Sequence, residues 1–197
     1  MAITTRGFGG RRAPAEKPLP PGQFLTEDFP VLSAGPTPNV DEAHWQFSVH
    51  TESGEVRRWD WAALMAMPVE DVTTDIHCVT RWSRFDTQWR GVSVDAFFED
   101  VESEAEFVMV HSYGGYTTNL PLEDLLDGKA WITFEHGGEP LAPLHGGPVR
   151  LIVPHLYFWK SAKWVRGFVM QEHEEPGFWE QNGYHLYGDP WLEQRYA

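Results

Sequence analysis

LHGGPVRLIVP, residues 144–154, is the stretch that decides the fold of this chain. Its second half, VRLIVP, is the strongest β signal in the sequence: a short run of branched apolar residues bounded by Gly and Pro. Arg150 opens that strand, and a guanidinium is costly to bury unless it meets an anion. Its planar fork suits phosphate or carboxylate, and Gly146 and Gly147 let backbone N–H groups approach such a group closely. The same residues also read as a Gly–Gly hairpin whose arginine closes a structural salt bridge.

Outward from that strand, FWKSAKW (158–164) adds Lys160 and Lys163 between Trp159 and Trp164, as either an anion clamp or a lysine-guarded edge strand. KWVRGFVMQE (163–172) reads as a strand, and so do 131–135 and FVMVHS (107–112). GGYTTNL reads as a turn into a capped helical stretch at 121–127. Its Tyr116 offers a hydroxyl donor to a bound oxyanion, or merely packs the turn. Strands are expected at 45–50 and, after a turn at Ser53-Gly54, from Val56 to Trp59. A helix over 60–67 is N-capped by Asp60 and ended by Pro68. TTDIHCVT reads as a strand, followed by a polar turn and a helix near 93–101 capped by Ser93. Residues 1–23, rich in Gly, Arg and Pro, read as a flexible arm, and residues 24–44 as an extended segment laid over the domain of residues 24–197. Short strands and short helices without regular βαβ alternation make the fold class α+β, mainly β.

The single cysteine, Cys78, sits in DIHCVTRWS (75–83). One thiol forms no intramolecular disulfide and builds no multi-cysteine metal site. It is a buried inert thiol, a nucleophile, or a lone thiolate on a metal ligated elsewhere; Asp75, His77 and Arg81 argue against inertness. The histidines form no H-E-x-x-H pair, and no G-x-S-x-G, Walker or G-x-G-x-x-G pattern is present. Ten Trp and 12 Phe point to an aromatic core or an aromatic-lined cavity. A formal net charge of −14 disfavours nucleic acid and anionic membranes and suits a cationic electron-transfer partner. No run approaches the roughly 18 apolar residues of a membrane helix. The Arg11-Arg12 pair lacks the apolar stretch of an export signal, so a cytoplasmic location is expected.

The order of these segments resembles the molybdopterin-binding domain of the sulfite oxidase superfamily: a lone cysteine at a strand end, a GY turn, HGGPVR-LIVP, then K-S-A-K-W. The likeness runs over roughly residues 24–196. It implies a sulfite oxidase molybdopterin-binding fold with short helices. It also implies one molybdenum held by a pterin dithiolene and by Cys78, so that a single thiolate suffices. By position, the resemblance gives His145, Arg150, Ser161, Ala162 and Lys163 to the pterin and its phosphate, with Lys160 in the same segment. Ser112 matches a pterin contact, Phe29 to Leu32 an N-terminal strip crossing the cofactor, and Tyr116 an active-site tyrosine. Arg81, three residues past the cysteine, stands near the place of a substrate-binding arginine and favours an oxyanion.

The expected activity is molybdenum-dependent oxygen-atom transfer to or from a small sulfur-centred substrate. Cys78, Arg81 and Tyr116 would be catalytic, and a separate protein would carry the electrons, since no haem domain is fused. The alternatives are reduction of a sulfoxide or other oxo-compound, and a non-catalytic molybdopterin-binding protein. A cofactor-free aromatic domain would leave Arg150, Lys160 and Lys163 without a shared partner.

Overall fold

Two β-sheets carry most of the order in the computed structural model, which describes residues 12–197. The strands are β1 (Phe24–Leu25), β2 (Gln46–His50), β3 (Val56–Asp60), β4 (Val69–His77), β5 (Trp82–Ser93), β6 (Phe107–Ser112), β7 (Thr117–Pro121), β8 (Trp131–His136), β9 (Glu139–Pro140), β10 (Arg150–Ile152) and β11 (Val165–Gln171). Three short helices accompany them: α1 (Trp61–Ala66), α2 (Asp95–Phe98) and α3 (Phe178–Gln181). The expected class, α+β and mainly β, is the observed one.

One sheet is built around β5. It pairs with β4 along most of its length, with β1 in parallel at its start, and with β8 at its end; β8 continues to β10 and β9. The other sheet runs β3-β2-β11-β6-β7, with β2 and β11 parallel. Alternation drives the burial. Phe47 and Val49 of β2 turn inward, while Gln46 stays exposed. Phe47 meets Phe168 edge-on at 4.9 Å, and Ile132 and Leu151 complete this core from the first sheet. Trp45 satisfies its indole N–H on the Val165 carbonyl at 3.0 Å, so its ring can be buried whole. A second, smaller cluster collects Ile76, Cys78, Trp82, Trp89, Tyr157, Trp159 and Tyr184.

Several local expectations are corrected. The strand expected over TTDIHCVT ends at His77, and the turn behind it is only the four residues Cys78–Arg81, closed by Arg81 N–H on the Cys78 carbonyl at 2.9 Å. Beyond it runs β5, the longest strand of those described. Its buried Thr87, Trp89 and Gly91 alternate with exposed Asp86, Gln88 and Arg90. Thr and Gly at inward positions hide that period from a reading that looks for apolar residues. The expected helix over 93–101 is the four-residue α2. Ser93 does not cap it, because its hydroxyl donates to the Asp95 carboxylate and Val94 takes the N-cap place. β7 begins inside GGYTTNL and runs to Pro121, and the stretch at 121–127 holds a single 3-10 turn, Leu122–Asp124. Asp60 does cap α1, accepting from Ala63 N–H at 2.8 Å.

Of the expected arm, residues 1–11 lie outside the described residues. Ala13 bridges to Leu25, Arg12 lies over the Phe24 ring, and Lys17 pairs with Asp75 and Asp86.

Candidate active site

The turn Cys78–Arg81, the loop 143–150, the loop 157–164, the turn 113–116 and α3 converge on one cavity of about 360 Å³, with the segment Phe29–Pro36 across it. This size falls within the range of small-molecule sites. Cys78 lines it at 7% exposure, its sulfur 3.1 Å from the Thr80 hydroxyl. Burial pushes the thiol's pKa up; the Thr80 hydroxyl and the charges of Arg195 and Lys163 oppose that. A thiol so placed ionises when a cation arrives to share the charge.

Arg150 is 1% exposed, yet no carboxylate pairs with it among the described residues. One terminal nitrogen donates to the His145 carbonyl and the other to the Ser161 carbonyl, both at 2.8 Å, while Nε is buried without a partner. Burial lowers its pKa to about 9. Lys163 has the same character: its ammonium donates to the Leu32 and Leu144 carbonyls at 2.8 Å, and burial, with Arg150 near, lowers it to about 7. Gly146, at φ +110°, threads the loop between them. A Cβ there would lie 3.0 Å from Arg150 Cβ and 3.1 Å from Lys163 Cβ. The hairpin-and-salt-bridge reading of this segment is therefore corrected.

No Asp or Glu stands among the described residues that line the cavity, on a chain of net charge −14. Two desolvated cations facing a space without an anion are electrostatically incomplete, and an anionic ligand completes them. His145 adds a buried Nδ1 without a partner and stacks on Phe29 at 4.1 Å. Ser161 and Ala162 line the cavity too; the Ser161 hydroxyl accepts from Val153 N–H. Tyr116 lines it with its hydroxyl already donating to the Trp159 carbonyl at 2.6 Å. Trp159, Phe178, Trp179 and Tyr184 make the remaining wall strongly aromatic.

Three expected residues are not brought to the cavity wall. Arg81 is exposed, at φ +79°, and does not line it. Lys160 is fully buried and turned into an ion pair with Glu180 at 2.7 Å, with further bonds to the Asn119 and Leu186 carbonyls. Ser112 is buried just before the lining turn, its hydroxyl without a hydrogen-bond partner. Two basic residues that sequence reading missed stand beside Phe29. Arg84 lies 5.5 Å over its ring, half-buried, with no ion pair among the described residues, and His136 packs against it at 4.9 Å. Their signal, basic residues of β5 and β8 brought to one ring, exists only after those strands pair.

No group of three or more His, Cys, Asp or Glu poised for a metal occurs among the described residues. A metal at Cys78 would thus take its other ligands from a bound group, and the unpaired cations fit one that carries a phosphate.

Residues 34–179 match the family model of the oxidoreductase molybdopterin binding domain. The chain belongs to that family. It is an oxidoreductase of the sulfite oxidase superfamily, as the resemblance implied. It is 44% identical over 182 residues to the uncharacterized oxidoreductase YuiH of Bacillus subtilis, covering 91% of this chain and 92% of that one. It is 25% identical over 162 residues to the protein-methionine-sulfoxide reductase catalytic subunit MsrP of Burkholderia mallei, covering 73% of this chain and 49% of the relative. The fold matches sulfane dehydrogenase SoxCD from Paracoccus pantotrophus with a TM-score of 0.61 at 16% identity, over 70% of this chain and 40% of that one. No helix among the described residues is long and apolar enough to cross a membrane.

Proposed function

We propose that this oxidoreductase removes the oxygen atom from a small, uncharged oxo-compound, an organic sulfoxide first, at a molybdenum centre anchored on Cys78. The observation that carries the substrate class is the wall around the cysteine. Arg81, on which the oxyanion reading rested, is exposed outside the cavity, and the wall beyond Arg150 and Lys163 is aromatic. Aromatic faces receive thioether and sulfoxide substituents well, with sulfur–aromatic contacts worth about 0.3–1.5 kcal/mol. They give an inorganic oxyanion nothing to pair with. The sulfoxide reductase relative supports the same class.

When bound, molybdopterin supplies the metal that exchanges the oxygen atom and two electrons. The chain supplies grip and environment. Arg150 and Lys163 would hold the phosphate, and His145, Ser161 and Ala162 would pack the pterin. Phe29 to Leu32 would cover it, and the Thr80 hydroxyl, 3.1 Å from the sulfur, would donate to the Cys78 thiolate. Tyr116, tied to the Trp159 carbonyl, fixes the substrate wall rather than donating to an anion.

The test is production in a host that makes molybdopterin, with molybdenum per chain measured for wild type and Cys78→Ser. Turnover of dimethyl sulfoxide and methionine sulfoxide is then compared with sulfite oxidation. We expect near-stoichiometric molybdenum, sulfoxide turnover in the wild type only, and kcat/KM for sulfite lower by about tenfold or more, one lost ion-pair's worth of binding. Preference for sulfite sinks the substrate class; full activity of Cys78→Ser sinks the anchor.

A further inference from the structure

Away from the cavity mouth, the exposed apolar side chains gather near the C-terminus. Four of the eight large hydrophobic residues exposed on the described surface, Leu186, Trp191, Leu192 and Tyr196, fall in this one segment. Trp191 is 51% and Leu192 69% exposed. The segment is nonetheless held in place. Trp191 N–H donates to the Asp189 carboxylate at 2.7 Å, and Tyr196 bridges to Tyr184. Arg195, buried, donates to the Val79 and Pro21 carbonyls. A fixed tryptophan left half in water has a use for its face.

What lies beneath Trp191 gives that use. Its ring meets the His77 imidazole edge-on at 6.1 Å. His77 is the covalent neighbour of Cys78; its Nδ1 is held by the Ser83 hydroxyl at 2.8 Å and its carbonyl by Phe158 N–H at 2.8 Å. Two rigid residues thus join the cavity thiol to the surface. Electron transfer falls steeply with distance, so a docking partner gains most where the packed path is shortest. Carboxylates edge the patch: Asp189 and Glu193 flank Trp191 in the chain, Glu193 also 3.4 Å from Arg195 Nε, and the charge of Asp75 is felt at His77. Of the cations on this side, Lys17 is paired with Asp75 and Asp86 and Arg195 is buried, which leaves Arg81 exposed.

We propose that this patch docks a small one-electron carrier protein whose redox group lies in a basic face. Electrons then pass between the carrier and the Cys78-anchored centre by way of Trp191 and His77. The proposal rests on the oxidoreductase reading above. In that direction two reduced carriers each give up one electron, two protons come from solvent, and the sulfoxide leaves as a sulfide and one water.

The probe is oxidised mitochondrial cytochrome c, a basic one-electron protein. It is mixed by stopped flow with dithionite-reduced holoenzyme freed of excess reductant; ferricyanide serves as the small-molecule control. For the wild type, the bimolecular rate constant with cytochrome should fall about tenfold between roughly 20 and 200 mM salt, as expected for steered association. Trp191→Ala should lose about tenfold with cytochrome, as for a central aromatic contact, and change less than about twofold with ferricyanide. An unchanged rate with cytochrome overturns the proposal. So does an equal loss with both oxidants, a rate indifferent to salt, or no exchange with the wild type. Molybdenum content and sulfoxide turnover driven by reduced methyl viologen, measured on the same samples, report separately on the catalytic reading.

Discussion

Lys163 shows what this site does at the scale of one residue. Burial and the neighbouring Arg150 lower its pKa to about 7, so between pH 7 and 10.5 the unfolded chain binds a proton that the folded chain does not. Stability of the cofactor-free protein therefore rises with pH through this window. Below pH 9, before Arg150 starts to contribute, Lys163→Met should flatten that slope, measured as urea midpoints at pH 7 and pH 9. The same variant should retain less molybdenum, because an anion favours the protonated amine. Arg81 makes the opposite case. Its left-handed backbone, φ +79°, is unfavourable for a residue with a Cβ, and its side chain stands outside the cavity. Arg81→Gly should stabilise the fold by about 1 kcal/mol in denaturant titrations and leave sulfoxide turnover within about twofold of wild type. A large loss of turnover would return the arginine to the site.

Among the elements, β5 and the loop 157–164 matter most. β4 leads into Cys78 and β5 holds it there, the Cys78 N–H donating to the Trp82 carbonyl, and β5 passes so close to β8 that a Cβ on Gly91 would run into the Ile132 carbonyl. Gly91→Ala should cost about 2 kcal/mol by forcing the strands apart, read as a lower urea midpoint. The loop is pinned from behind by Glu180, which accepts from Lys160 at 2.7 Å and from the Trp159 indole and the Thr118 hydroxyl, both at 2.8 Å. Glu180→Ala leaves Lys160 buried without its counter-charge and should cost about 3–5 kcal/mol. Glu180→Gln keeps an acceptor for Trp159 and Thr118 and should cost less. If the two variants melt together, the charge that both have lost carries the whole cost and the bonds from Trp159 and Thr118 add nothing. FWKSAKW is no edge strand, and its two lysines part company. Lys163 faces the cavity and Lys160, three residues earlier, faces the core, and spacing alone does not separate them.

For the whole molecule, the cavity leaves desolvated cations without an anion, so loading should stabilise the fold by linkage. At a ligand concentration about a thousand times Kd that amounts to about 4 kcal/mol. Thermal melting of molybdenum-loaded and cofactor-free protein should differ by several degrees, and equal midpoints would argue against the cavity as the cofactor's seat. The sequence by itself determined the class of fold, because apolar runs such as VRLIVP and FVMVHS have one economical use, burial in a sheet. It also singled out Cys78, Arg150 and Lys163, since one thiol and a glycine-flanked arginine at a strand start are local features. Only the tertiary structure decided which cations meet. Arg81 lies near Cys78 in the chain but turns to solvent across a tight turn, Lys160 swings into the core to pair with Glu180, and Arg84 and His136 come to Phe29 from two strands. Spacing along the chain fixes neighbours, whereas charge pairing is settled by which strands hydrogen-bond and which faces they bury.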